Sequence, residues 1–157
     1  IKNLCYSGAT TTRPAQATPS DAELLRAKGL RVTAARLAVL AAVRAGDHLP
    51  ADEIAIAARE QIGSISTQAT YDVLAVLTGA GLARRIEPAR SPARFETRVA
   101  DNHHHLVCRD CGRTVDVDCV TGVAPCLEPA EAAGFEIDEA EVVFWGTCPS
   151  CRREHDG

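Results

Sequence analysis

At 157 residues, 46% of them hydrophobic and only 4% aromatic, the chain is long enough for one medium domain or two small ones, each with its own apolar core. It contains no run of about 18 apolar residues, which excludes a transmembrane helix, and the opening IKNLCYSGATTTRPAQATPS lacks the apolar centre of a signal peptide, so a cytoplasmic protein is expected. The formal net charge of −4 argues weakly against nucleic acid, but it averages a basic stretch, residues 1–100 with 13 Lys+Arg against 9 Asp+Glu, and an acidic one, residues 101–157 with 4 against 12.

Taken in chain order, residues 1–19 read as a flexible tail of Thr, Ala, Pro and Ser. SDAE at Ser20 is a capping box with Glu23, which predicts a short helix ending near Gly29. Thr33 caps a second helix, AARLAVLAAVRAG, in which Leu37, Leu40, Ala41 and Val43 form an apolar stripe and Gly46 is the stop. PADEIAIAAREQ makes a third, with Pro50 at or near its first turn and acids beside the positive end of the helix dipole. Ser66 caps a fourth, STQATYDVLAVLTGAGL, with Thr70, Val73, Leu74 and Leu77 on one face and Gln68, Tyr71 and Asp72 elsewhere. LARRI and ARFET follow as two strands around a Pro-containing turn. Short helices closed by a two-stranded hairpin are the layout of a winged helix-turn-helix over 20–97, whose fourth helix would enter the major groove with its first residues at base edges. The alternative is a small helical domain in which Tyr71 is only a surface residue.

After residue 98 the texture changes. HHLVCRD, RTVDVDCV and FEIDEAEVVFWGTC read as strands and PCLEPAEAAGF as a helix, a second, smaller module of helix and strands over 98–157. The fold class is therefore α+β.

The seven cysteines are an odd number, which does not suit a secreted disulfide scaffold. Cys108-x-x-Cys111 and Cys148-x-x-Cys151 supply four thiolates, enough for a closed tetrahedral Zn2+ site of structural type. A thioredoxin-like redox motif would need only one such pair, near a βαβ pattern. Beside the first pair stand His103, His104 and His105. On a strand His103 and His105 share a face and His104 takes the other. With Glu96 before them and Asp116 after them they make a nitrogen and oxygen donor set suited to Fe2+, Mn2+ or Zn2+. His48, just before the third helix, would join that set if the first module folds over it. Without a metal, the same histidines are a solvated strand end.

The motifs LRVTAARLAVL, DHLPADEI, STQATYDVLAVLTGAGL, HHHLVCRDCG and CPSC together resemble the ferric uptake regulator family, over about residues 20–151. RFETRVADNHHHLVC and DEAEVVFWGTCPSC are similar almost word for word to its actinomycete branch, which regulates catalase-peroxidase and responds to peroxide. The resemblance implies a metal-dependent repressor, homodimeric through its second, zinc-containing α/β domain, on a pseudo-palindromic double-stranded DNA operator. It implies structural zinc at Cys108, Cys111, Cys148 and Cys151, and a regulatory Fe2+ or Mn2+, with Zn2+ possible in vitro, at His48, Glu96, His103, His105 and Asp116. It places Tyr71 on the reading helix, whose first residues are Ser66, Thr67 and Gln68, and it sends Arg31 to the minor groove. Asp72 departs from the family, in which many members carry Arg there. Asn102 and His104 replace the His and Asp of an additional metal site, which is therefore not expected.

The working expectation is that the regulatory ion closes a hinge near residues 97–100 and that peroxide, acting at bound Fe2+, damages His48 or His103. A thiol sensor at Cys119 and Cys126, oxidation of the zinc thiolates, an iron- or zinc-uptake regulator without peroxide sensing, a small metallohydrolase and a zinc-held interaction module are the alternatives. Against the hydrolase, five protein donors leave little room for substrate and water, and no P-loop, Ser-His-Asp pattern or Gly-rich cofactor loop is present.

Overall fold

The computed structural model describes residues 19–89, 91–99, 103–118, 134, 136 and 142–155. The chain divides into two compact units, 1–85 with 95–99, and 86–94 with 100–157.

The first unit is built on α1 (Asp21–Ala27), α2 (Ala34–Ala45), α3 (Ala51–Ile62) and α4 (Thr67–Gly79). Each start has a local cause. At α1 the Glu23 amide donates to Ser20 Oγ while Glu23 Oε2 accepts from the Ser20 amide at 2.8 Å. Thr33 Oγ1 caps α2 through the Arg36 amide, and Ser66 Oγ caps α4 through the Ala69 amide at 3.0 Å. Pro50 precedes α3, where its missing N–H costs nothing. Gly63, at φ +82, ends α3 in a left-handed conformation open to glycine without strain.

The apolar faces of these helices meet in one cluster that includes Leu25, Val39, Leu40, Ile54, Leu74 and Leu77, with Phe95 from the strand region. Thr70 is fully buried on the same side of α4, its hydroxyl donating to the Ser66 carbonyl at 3.1 Å. Where a two-stranded hairpin is expected, the sheet has three strands in the order β1-β3-β2: β1 (Leu49–Pro50), β3 (Arg94–Glu96) and β2 (Arg84–Ile86). A two-residue strand is too short to show an alternating pattern, and Pro50, lacking an N–H, confines it to the sheet edge.

The second unit has a sheet of order β5-β4-β6 and a terminal helix: β4 (His103–Cys108), β5 (Thr114–Asp118), β6 (Val143–Gly146) and α5 (Pro149–His155). β4 is central, antiparallel to β5 with His105 opposite Asp116, and parallel to β6 with Val107 opposite Trp145. β4 stops at Cys108, before the Arg109 and Asp110 expected in it, because the chain turns there. The Cys108 amide bonds the Arg113 carbonyl, and Gly112, at φ +70, closes the corner. The last cysteine pair opens α5, which Pro149 begins. The helix expected at PCLEPAEAAGF and most of the strand before Val143 lie outside the described residues, as do Asn102, Cys119 and Cys126. No helix among the described residues is long and apolar enough to cross a membrane.

Candidate metal centres and nucleic-acid interface

In the second unit, β4 ends on Cys108, the turn carries Cys111, and the start of α5 brings Cys148 and Cys151. The four Sγ atoms lie within 4.8 Å of one another. Cys111 Sγ and Cys148 Sγ are 3.8 Å apart. A tetrahedron with metal–sulfur bonds of about 2.3 Å has edges of about 3.8 Å, so this spacing is that of a zinc–thiolate site.

The electrostatics point the same way. The backbone N–H groups of Cys111 and Cys148 are aimed at Cys108 and hold its thiol down to about 6, with the Cys148 amide 3.2 Å from its sulfur. Cys148 is lowered as well, first by the Cys151 amide. Cys151 is pushed up, first by the neighbouring Cys148 sulfur and then by Cys111. Backbone dipoles thus favour thiolates in the cluster, while sulfur crowding opposes full ionisation until a cation is present. That donor set fits Zn2+. The guanidinium of Arg109 lies over the Trp145 ring, 5.4 Å from its centroid.

The histidines divide as the pleat requires. His103 and His105 stand edge to face with ring centroids 4.9 Å apart, and each Nε2 is 3.6 Å from Asp116 Oδ1. His104 lies on the opposite face, edge-on to Phe144 at 6.2 Å. Both of its ring nitrogens are buried without a hydrogen-bond partner among the described residues.

In the first unit, His48 and Glu96 form a separate nitrogen and oxygen pair. His48 Nε2 is 3.0 Å from Glu96 Oε2, and both residues are buried. The other ring nitrogen, Nδ1, is 3.0 Å from Asp47 Oδ1. A carboxylate at Nδ1 fixes the ring and leaves Nε2 as the donor atom for a metal. His48 is the one described non-glycine residue with positive φ, +57, a conformation that costs free energy and gathers at functional sites. Arg84 Nε is 4.0 Å from Glu96 Oε1. Sequence reasoning overlooked Asp47 and Arg84. Asp47 could have been found as the acid beside the histidine, whereas only the sheet brings Arg84 to Glu96.

The outward surface of α4 holds the expected base-reading residues. Gln68 and Tyr71 are exposed and Thr67 is half-buried. Ser66 is exposed, but its hydroxyl is occupied as the helix cap. Arg59, also overlooked, reaches from α3 to the Ile65 carbonyl at 2.8 Å and to Thr67 Oγ1 at 3.2 Å, bracing the turn ahead of α4. Arg31 is exposed, and its carbonyl accepts from Arg36 Nη1 at 2.8 Å.

Residues 27–145 match the model of the Ferric uptake regulator family. The chain is 54% identical over 133 residues to "Transcriptional regulator FurA" of Mycobacterium tuberculosis (strain ATCC 25618 / H37Rv), covering 85% of this chain and 90% of that protein. It is 28% identical over 140 residues to "Peroxide operon regulator" of Bacillus subtilis (strain 168), covering 85% and 92%. Among solved structures, the ferric uptake regulator from Pseudomonas aeruginosa with manganese is similar at 25% identity and a TM-score of 0.58, over 82% of this chain and 98% of that one.

Proposed function

The chain belongs to the ferric uptake regulator family of transcriptional regulators, and on that premise we propose that it is a metal-dependent, dimeric repressor of double-stranded DNA operators that responds to peroxide, iron or both. Its work is binding, and no step of bond chemistry on a substrate is assigned to it.

Zinc at Cys108, Cys111, Cys148 and Cys151 would be structural: with all four positions taken by protein sulfur, none is left for a substrate. A regulatory Fe2+ or Mn2+ would draw on His48 and Glu96 in one unit and on His103, His105 and Asp116 in the other. The mixed imidazole and carboxylate set suits these metals. The observation that carries the reading is the buried His48–Glu96 pair, 3.0 Å apart, in the same unit as the exposed face of α4. Metal donors there belong to the domain that would touch DNA, so occupancy has a route to operator affinity.

Peroxide response is the finer part of the proposal. Iron supplies one-electron chemistry toward peroxide when bound, and His48 and His103 are the imidazoles we assign as its target. Oxidation of either would remove a donor. The similarity to a peroxide operon regulator and to the actinomycete branch supports this, with catalase-peroxidase expression as the controlled output. Oxidation at Cys119 and Cys126 would instead make this a thiol sensor.

The test is a gel shift of the full chain with added Mn2+ or Fe2+, before and after peroxide, alongside His48→Ala and His103→Ala. Metal should tighten binding to an operator duplex, and both variants should lose that dependence. Peroxide should release only the Fe2+-loaded protein, with a 16-dalton gain on a histidine peptide by mass spectrometry. Metal-dependent tight binding by His103→Ala would defeat the proposal. A peroxide-indifferent protein would leave a metal-uptake regulator, and a Cys119–Cys126 crosslink would move the sensor to the thiols.

A further inference from the structure

The solvent face of α4 is one continuous stripe. Gln68, Tyr71, Asp72, Ala75 and Val76 are exposed, at the spacing that places residues on one helical face. Its chemistry is lopsided. TQATYDVLAVLTG contains no Lys, Arg, His or Glu, and Asp72 is its one residue charged at neutral pH. Tyr71, 46% exposed, and Val76, 36% exposed, are large apolar groups left in water on a helix whose other side is fully packed. Asp72 Oδ1 accepts from Gln68 Nε2 at 3.0 Å.

That contact decides what the pair can offer a partner. An ionised carboxylate only accepts, and it has room for several donors besides the glutamine amide. Gln68, with one N–H committed to Asp72, keeps its carbonyl oxygen and one N–H. The polar centre of the face is therefore rich in acceptors. In the major groove each base shows either an exocyclic amino group, on cytosine and adenine, or a keto oxygen, on guanine and thymine. A carboxylate bonds the first and repels the second. A negative charge here adds nothing to phosphate attraction, so its benefit lies in discrimination, and a repulsive element against the wrong partner is how discrimination is built. The neighbouring Ala75 and Val76 suit the thymine methyl group.

Resting on the reading that α4 enters the major groove, we propose that Asp72 is a specificity-determining residue: with Gln68 held against it, its carboxylate accepts from the amino group of a cytosine or adenine and rejects a keto-bearing base at that position. Such a pair four residues apart also supports a helix slightly, but helix support leaves base preference unmoved, so preference is the quantity to measure.

The full chain, loaded with Zn2+ and Mn2+, is taken through selection on a randomised duplex library, in parallel with Asp72→Asn, Asp72→Ala and Gln68→Ala. The wild-type winner and its single-pair amino-to-keto swaps are then titrated by gel shift. Wild type should fix an amino-bearing base at one position per half-site, cytosine or adenine being named by the winner itself. It should lose roughly five- to a hundred-fold on the swap. Asp72→Ala should bind both duplexes alike, and no more weakly than wild type on unrelated DNA. Asp72→Asn, which can both donate and accept, should tolerate both bases. Gln68→Ala should blunt the preference without reversing it. Because Asp72 is exposed, the melting curves should coincide. An unchanged base profile in Asp72→Ala, or a wild type that favours keto bases at every position, overturns the assignment of Asp72 alone. A wild type that enriches no sequence with either metal overturns the DNA-binding reading and this inference with it.

Discussion

Cys111→Ser tests the zinc site at its most exposed corner. Zinc binding at comparable sites supplies about 10–16 kcal/mol. Shared equally over four sulfurs, one ligand carries about 2.5–4 kcal/mol, roughly two to three orders of magnitude in Zn2+ affinity. The 3.8 Å separation of Cys111 Sγ and Cys148 Sγ places this sulfur at a full tetrahedral corner, so the loss should not be softened by a long or weak bond. Among the described residues, the second unit has little to put in its place. Its fully buried apolar side chain among the described residues is Val107, and burying a group of that size stabilises by about 1.5–3 kcal/mol. The first unit has its own apolar cluster and should survive. The assay is a competing chelator titration followed by zinc content and by the emission of Trp145, the single tryptophan, whose ring lies against Arg109 beside the cysteine loop. Cys111→Ser should release zinc at a chelator concentration some two orders of magnitude below that for wild type, with a red shift of Trp145 while the helical circular dichroism persists. A variant that held zinc as tightly as wild type, or a stripped wild type with unchanged Trp145 emission, would refute the reasoning.

The backbone amides of Cys111 and Cys148 hold the Cys108 thiol down to about 6 from the ordinary 9.0. Its folded value is depressed, so its contribution to the metal-free fold is complete above about 9 and is lost as pH falls through about 6. Thiolate ultraviolet absorbance should show an early step there only while the second unit stays folded; where chelation has red-shifted Trp145, the step should move up toward the ordinary 9.0. Asp47→Ala removes the carboxylate at His48 Nδ1 and should weaken regulatory-metal affinity by about 10–100-fold without changing zinc content; calorimetric titration with Mn2+ measures it. Leu77→Ala deletes a fully buried side chain from the first unit's core and should cost about 2–5 kcal/mol, whereas Ser66→Ala, which removes one cap hydrogen bond, should cost about 1 kcal/mol. Denaturant melts of the two variants should differ in that order.

Much of the architecture could be read from the residues in a row, because its causes are local. Ser20, Thr33 and Ser66 name helix starts through bonds to amides three residues on, and Gly46 names a stop. The apolar spacing of Thr70, Leu74 and Leu77 marks the buried side of α4. The pleat separates His104 from His103 and His105, and two Cys-x-x-Cys pairs announce a four-sulfur site because each spacer turns two thiols toward one point. What could not be read depends on strands meeting across long separations, or on segments too short to carry a period. The two-residue β1, the parallel pairing of β4 with β6, the opening of α5 inside the last cysteine pair, the left-handed backbone at His48 and the approach of Arg84 to Glu96 have no signature in their neighbours along the chain. The same holds for Arg59 beneath Thr67, whose contact spans the α3–α4 turn. Helix caps and pleat alternation are settled within a few residues, and so is their legibility. The approach of His48 Nε2 to the carboxylate of Glu96, 48 positions away, is settled only when the core closes and brings β1 and β3 side by side.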